Sequence, residues 1–398
     1  MDISKFIERT EEPIALVLGR YVTIDLAVVR SLGKINIPTL VLTPNAKYLA
    51  SFSKYYKGTI CPDLKHDEKK YIDFLLDFGK NLNTKGVLLP NGDAEVSVIL
   101  RNKDKLEEYY KFPCADFDVV EKLLNKRLFH ETINKFDISC PKTYIVNKES
   151  DVKEISKEIA YPTIVKPVFS DYFRSDFKIK LFRVNSYEEL IEKYKLATMR
   201  NHEVIIQEII PGGVKDYYGF DGYYDKNYDL HGSFMYHRLR EWPHNFGNGC
   251  FIESIRISEL EEIITELVKK IGYHGIIDAE FKKDTRDNKY KIIEINPRFW
   301  MQNGLSDRCG INFPYMVYMG TIGRDFGEQV FNGEHVKWLF MSEDLTSSLT
   351  SFRERELSLN EWINSYKGNK EYTIFSWDDP IPFFVVFAGL IYGLFKRI

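Results

Sequence analysis

Residues 276–298, IIDAEFKKDTRDNKYKIIEINPR, constrain the chain more than any other stretch. Residues 276–283 and 290–296 each alternate apolar and polar, the period of a half-buried strand. The charged stretch between them holds Asp287-Asn288, a turn-prone pair, so the expectation is a hairpin. On the first strand Asp278 and Glu280 share a face; on the second Glu294 and Asn296 share one, with Ile293 and Ile295 on the other. If an odd-length loop closes the pair, Glu280 and Glu294 stand directly opposite, where two carboxylates repel. Either something positive lies between them or one of them holds a proton. A hard cation fits, with Glu280, Glu294 and the Asn296 amide oxygen as ligands and other positions left for water and phosphate. A solvated amphipathic hairpin would show the same alternation. Pro297-Arg298 sets this one apart: proline cannot donate to the ladder and ends the strand. Arg298 is thereby placed beside the candidate metal site, with a fork of donors suited to a phosphoryl group.

The 398 residues suffice for two or three domains with real cores. A net charge of −3 gives no electrostatic case for nucleic acid as a partner. Cys61, Cys114, Cys140, Cys250 and Cys309 form no CxxC and suit a reducing cytoplasm. The opening MDISKFIERTEEP is polar and charged and does not read as a signal peptide.

Apolar runs at 14–18, 38–43 and 86–90, with a helical pattern at 24–32, predict strand–helix–strand units and a doubly wound α/β domain at the start. The lone Gly19 is no dinucleotide fingerprint. Helical periodicity predicts one helix over 96–110 and another over 118–136. In YPTIVKP, residues 161–167, Lys166 sits in an apolar run and is costly there without an anionic partner. VIIQEII, residues 204–210, followed by Pro211-Gly212-Gly213, predicts a buried strand and a tight turn. Arg238 and Arg240 fall on one strand face and call for an anion; the bland alternative is surface pairing with Glu241 or Glu253. Near the end, 334–340 reads as a strand and 357–366 as a helix. The apolar tail Ile381-Phe395 lies between Trp377 and Lys396-Arg397 and is short for a span of about 20 residues. It suits a peripheral membrane contact or a helix packed on the protein.

The D-x-E-F strand followed by E-x-N-P-R resembles the metal-binding end of the ATP-grasp ligases. The likeness runs roughly from residue 14 to residue 323 and is greatest to carboxylate–amine ligases resembling the carbamoyl-phosphate synthase large chain, including D-aspartate ligase-like proteins. It implies an α/β architecture with an α+β clamp: a doubly wound domain over 1–117, a small lobe over 118–203, a large lobe with the metal site over 204–330, and an extension over 331–398. It implies ATP and Mg²⁺ (or Mn²⁺), with a carboxylate activated as an acyl phosphate, then attacked by an amine while ADP is released. Residue by residue it puts Lys126, Lys166 and Lys180 on the phosphates, with Lys178 competing for the place of Lys180. Gln207, Glu208 and Ile210 fall at the adenine and Asp216 at the ribose. Arg238 and Arg240 fall on the substrate side, with Arg298 on the transferring group. The flap expected over 169–184 contains no glycine, a departure that leaves Ser170, Arg174 and Ser175 to contact phosphate. The implied partners are small-molecule carboxylates and amines, and a homodimer is allowed. The alternatives are a carboxylate–thiol ligase or kinase on the same chemistry, and a non-catalytic nucleotide-binding protein at a membrane.

Overall fold

The structure is a computed structural model that describes residues 3–45 and 48–395. Three sheets organise it. The first has the order β3-β2-β1-β4-β5 and is parallel throughout: β1 (Ala15–Leu18), β2 (Thr39–Thr43), β3 (Gly58–Ile60), β4 (Gly86–Pro90) and β5 (Tyr110–Lys111). Every residue of β1, β2 and β4 is buried, which is why they read as unbroken apolar runs rather than alternating ones. The strand order turns back between β1 and β4, so the loops after these two strands open on one crevice. The helix expected over 96–110 divides into Asp93–Arg101 and Lys103–Leu106, and its last residues become β5.

The second sheet is antiparallel, in the order β6-β9-β7-β8: β6 (Thr143–Ile145), β7 (Thr163–Pro167), β8 (Phe182–Val184) and β9 (Val204–Glu208). The helix expected over 118–136 is broken into Phe117–Leu124 and Lys126–Lys135. Asn125 makes the break: its side chain accepts hydrogen bonds from the N–H groups of Arg127 (3.0 Å) and Leu128 (3.2 Å), capping the second helix. Lys126 is thereby the first residue of a helix rather than one on an exposed mid-helix face. The flap is no open loop either. Ser170–Phe177 is helical, and Lys178 ends it in the left-handed region at φ 59°.

The third sheet has the order β14-β13-β10-β11-β12-β15-β16: β10 (Tyr217–Tyr224), β11 (Leu230–Trp242), β12 (Asn248–Ile255), β13 (Gly275–Lys283), β14 (Tyr290–Asn296), β15 (Lys337–Leu339) and β16 (Lys370–Tyr372). The hairpin β13–β14 runs Lys283↔Tyr290, Lys282↔Lys291, Phe281↔Ile292, and then Glu280↔Glu294. Ile293 is the extra residue, a β-bulge that lets both halves of the hairpin keep their faces. Phe281, Ile292 and Ile295 enter the core. Ile293, expected on the core face beside Ile295, turns instead toward the cavity described below.

Past residue 330 lies a helix that the sequence does not announce, Met341–Arg353. Its serines and threonines offer the backbone other partners and weaken any helical signal. The expected strand 334–340 and helix 357–366 are trimmed to β15 and Leu359–Ser365. Asp379 then ties the extension to the first domain, its carboxylate accepting from Arg30 Nε (2.9 Å) and Ser53 Oγ (2.6 Å), all three buried. The tail forms the helix Ile381–Phe395, with Ile381, Phe384 and Phe387 each more than half exposed. Among the described residues no helix is long and apolar enough to cross a membrane. The basic pair Lys396-Arg397 lies outside the described residues. All five cysteines are free thiols.

Candidate active site

A cavity of about 350 Å³ lies between the second and third sheets and reaches the first domain at Tyr21, Thr23 and Asp93. Of the residues singled out above for nucleotide, metal or substrate, all line it except Ser175, Lys178, Asp216 and Arg240.

Its floor is the hairpin. Glu280 stands opposite Glu294, and Asp278 opposite Asn296, whose Nδ2 donates to Asp278 Oδ2 (3.1 Å). The positive charge that opposed glutamates demand comes from two directions. Lys166 reaches over from β7, its Nζ 3.1 Å from Glu294 Oε2. Arg238 on β11 donates through Nη2 to Glu280 Oε2 (2.7 Å), and through Nη1 to Glu241 and to the Gly247 carbonyl (both 3.2 Å). Burial opposes ionisation of Glu294, but the charges of Lys166, Lys126 and Lys180 outweigh it and hold this carboxyl far below the usual range. Asp278 goes the other way: burial pushes it up to about 7 against the pull of Arg298. Its Oδ1 is buried without a hydrogen-bond partner, as are both carboxylate oxygens of Asp221, which faces it on β10.

The lysines form the opposite wall. Lys126 donates to Ser170 Oγ at the start of the flap helix (2.9 Å), and burial lowers its pKa. Lys180 donates to Asn248 Oδ1 (2.5 Å), and burial lowers it to about 8. Lys180 precedes β8 rather than beginning it, and of the two competing lysines it is the one that lines the cavity. Lys178 is exposed and donates to the carbonyl of Ser175. Lys126, Lys166 and Lys180 thus converge from a helix start, a strand and a flap on one wall that suits an oligophosphate.

At the far end β9 edges the cavity. Gln207 is buried, and its Nε2 donates to His130 Nε2 (2.9 Å) and Thr143 Oγ1 (2.8 Å). Burial, then Lys166 and Lys126, lower the His130 pKa to about 3 and keep that ring neutral. Glu208 accepts from the Lys142 N–H (2.8 Å) and from Arg286 (3.0 Å), so its side chain is engaged. Ile210 adds an apolar patch. Asp216 turns back on its own loop, where Oδ2 accepts from the Gly213 N–H (2.7 Å); it is not placed at the cavity wall.

Arg298 follows the hairpin, as its proline predicts, and donates to Asp93 Oδ1 (2.8 Å) and its neighbour's carbonyl (3.1 Å). Arg240 parts from Arg238 because the β11–β12 register slips between them. Its guanidinium is buried against Asp344 (2.6 Å), between the rings of Phe251 (4.6 Å) and Tyr366 (5.3 Å), and holds the helix Met341–Arg353 rather than a ligand. Among the carboxylates that line the cavity, sequence reasoning left three without a role. Asp278 was visible as the face-mate of Glu280. Asp93 lay in the turn Asn91-Gly92-Asp93. Glu343 had no signal at all, being in the unannounced helix.

The donor set fits a divalent cation. Glu280, Glu294 and the Asn296 amide give hard oxygens on one floor, and Asp278 Oδ1 is a further buried oxygen still without a partner.

No family model matches the chain. D-aspartate ligase of Enterococcus faecium (strain Aus0004) is 27% identical over 353 residues, 78% of this chain and 83% of that protein. The carbamoyl phosphate synthase large chain of Methanothrix thermoacetophila is 23% identical over 186 residues, 46% of this chain but only 17% of its own length. Among solved structures, L-amino acid ligase from Bacillus licheniformis superposes with a TM-score of 0.62 at 14% identity, covering 79% of this chain and 75% of that one. Biotin carboxylase from Campylobacter jejuni, solved as a β-γ-ATP complex, gives 0.63 at 17% identity over 81% and 74%. The chain is therefore similar in sequence to D-aspartate ligase over most of its length and shares the ATP-grasp fold of these solved ligases and carboxylases.

Proposed function

We propose that the chain is a cytoplasmic, ADP-forming carboxylate–amine ligase that works through an acyl phosphate. The observation that carries this is Lys166 reaching across the cavity to Glu294, which stands opposite Glu280: a phosphate-binding wall and a metal-binding floor meet at one carboxylate.

Glu280, Glu294 and Asn296 would hold Mg²⁺ or Mn²⁺, which when bound supplies charge neutralisation at the phosphate oxygens. Lys126, Lys166 and Lys180 bind the triphosphate, and Lys166 exchanges its contact with Glu294 for a phosphate oxygen. The backbone of Gln207–Glu208 and the side chain of Ile210 receive the adenine. Arg298, fixed by Asp93, orients the substrate carboxylate so that its oxygen attacks the γ-phosphorus and ADP leaves. The amine, as its neutral form, then attacks the acyl carbon; the nitrogen gives up a proton, which leaves with the phosphate, and the phosphate carries away one former carboxylate oxygen. In the same proposal, residues 1–117 line the substrate side, 118–203 and 204–330 are the two lobes, and 331–398 back the cavity through Met341–Arg353.

The test is ADP release by the full chain with MgATP, over a panel of acids headed by D- and L-aspartate, because a relative is named D-aspartate ligase, each with amine and thiol acceptors. Release that requires both an acid and an amine is the expected result. Release with a thiol or hydroxyl acceptor alone would favour the thiol ligase or kinase, and no acid-dependent release would sink the ligase. Contact of Ile381–Phe395 with a lipid surface belongs to the same proposal. Flotation with anionic vesicles that is unchanged on deleting residues 381–398 rejects it.

A further inference from the structure

We propose that Glu343 receives the ammonium group of the amine acceptor and so selects the nucleophile, an inference that rests on the ligase function proposed above.

Glu343 lies in the first turn of Met341–Arg353 and lines the cavity. Its neighbour Asp344 is fully buried and accepts from Arg240 Nε (2.6 Å) and Nη2 (3.2 Å), while Nη1 of the same arginine donates to Ser365 Oγ (3.0 Å), so the helix that presents Glu343 is fixed from behind. Glu343 Oε2 is buried without a hydrogen-bond partner. The other carboxylates on the cavity wall are engaged: Asp93 by Arg298, Glu208 by Arg286, Glu280 by Arg238, Glu294 by Lys166, and Asp278 through one oxygen by Asn296.

A carboxylate oxygen taken out of water without a donor is costly, and burial raises the Glu343 pKa against the opposing charge of Lys180. An ammonium group brings three donors and the missing charge. Elsewhere the cavity's carboxylates have partners or belong to the proposed metal floor, and its lysines and arginines suit phosphate and carboxylate. Glu343 is also carried by a different element from Glu280, Glu294 and Asn296, so it can be changed without altering the hairpin.

The closing experiment has two arms on the full chain. In the first, saturation-transfer NMR with propylammonium and MgADP at pH 7.5 should show transfer to wild type, a weaker signal with Glu343→Asp, and loss with Glu343→Gln. In the second, ADP release supported by the most active amine of the panel is divided by release supported by hydroxylamine, which is largely uncharged at that pH. This ratio should fall about tenfold to a hundredfold in Glu343→Gln, the worth of one charge-assisted hydrogen bond. Equal propylammonium transfer to wild type and Glu343→Gln overturns the proposal. So does a raised Mg²⁺ requirement with an unaltered ratio, which would make Glu343 a metal ligand. If wild type releases no ADP, the ligase function fails while the first arm still decides whether Glu343 holds an ammonium.

Discussion

Single residues carry the strongest expectations. Glu294 is ionised because three lysines surround it, so Glu294→Gln keeps its shape and removes its charge. The variant should fold with wild-type circular dichroism, lose Mn²⁺ binding by electron paramagnetic resonance, and lose ADP release by about 10²–10³-fold, the usual cost of one preorganised electrostatic group. Ordinary turnover in Glu294→Gln removes the metal floor. Lys180 gives a pH signature. Burial lowers its pKa from 10.5 to about 8 in the folded chain. Between those values the unfolded chain binds more protons, so this group makes folding more favourable as pH rises from about 8 to 10.5 and is a constant penalty below 8. Lys180→Met should therefore gain more stability over wild type at pH 7.5 than at pH 9.5 in urea unfolding; an equal gain at both rules out the buried charge. At this scale the sequence was informative wherever chemistry forces a partner. Lys166 in an apolar run demanded an anion and has Glu294; opposed glutamates demanded cations and have Lys166 and Arg238. It misled at Asp216, because a short acidic side chain beside Gly212-Gly213 can cap its own turn as readily as reach a ribose.

At the scale of elements, period alone found the hairpin to within a residue at its start, but not its bulge. The loop from Asp284 to Lys289 is even in length, and Ile293 supplies the odd residue that brings Glu280 opposite Glu294. Nothing in an alternating pattern marks which apolar residue bulges. The same blindness paired Arg240 with Arg238: strict alternation puts both on one face, and the register slip separates them. The glycine-free stretch expected as a flap is in part a helix, Ser170–Phe177, a conformation that needs no glycine. Arg240 now belongs to the packing of Met341–Arg353. Arg240→Ala leaves Asp344 buried without its cation and should cost about 3–5 kcal/mol in equilibrium unfolding. Arg240→Met with Asp344→Leu should recover most of that loss. A loss under 1 kcal/mol in Arg240→Ala would instead leave Arg240 available to a ligand.

For the whole molecule, the mixed α/β fold was legible because parallel strands bury both faces and the β13–β14 hairpin carries its own punctuation. The extension was not, since the resemblance fades after residue 323 and a serine-rich helix lacks a strong period. Yet the extension reaches the cavity: it places Glu343 on the wall and is clamped to the first sheet's domain through Arg30 and Asp379. The central claim, that a carboxylate is phosphorylated between the lysine wall and the glutamate floor, is tested most directly by the fate of oxygen. With the active acid labelled with ¹⁸O in its carboxylate, one labelled oxygen should appear in the inorganic phosphate for each ADP released. Unlabelled phosphate, or release of AMP and pyrophosphate in place of ADP, would contradict it.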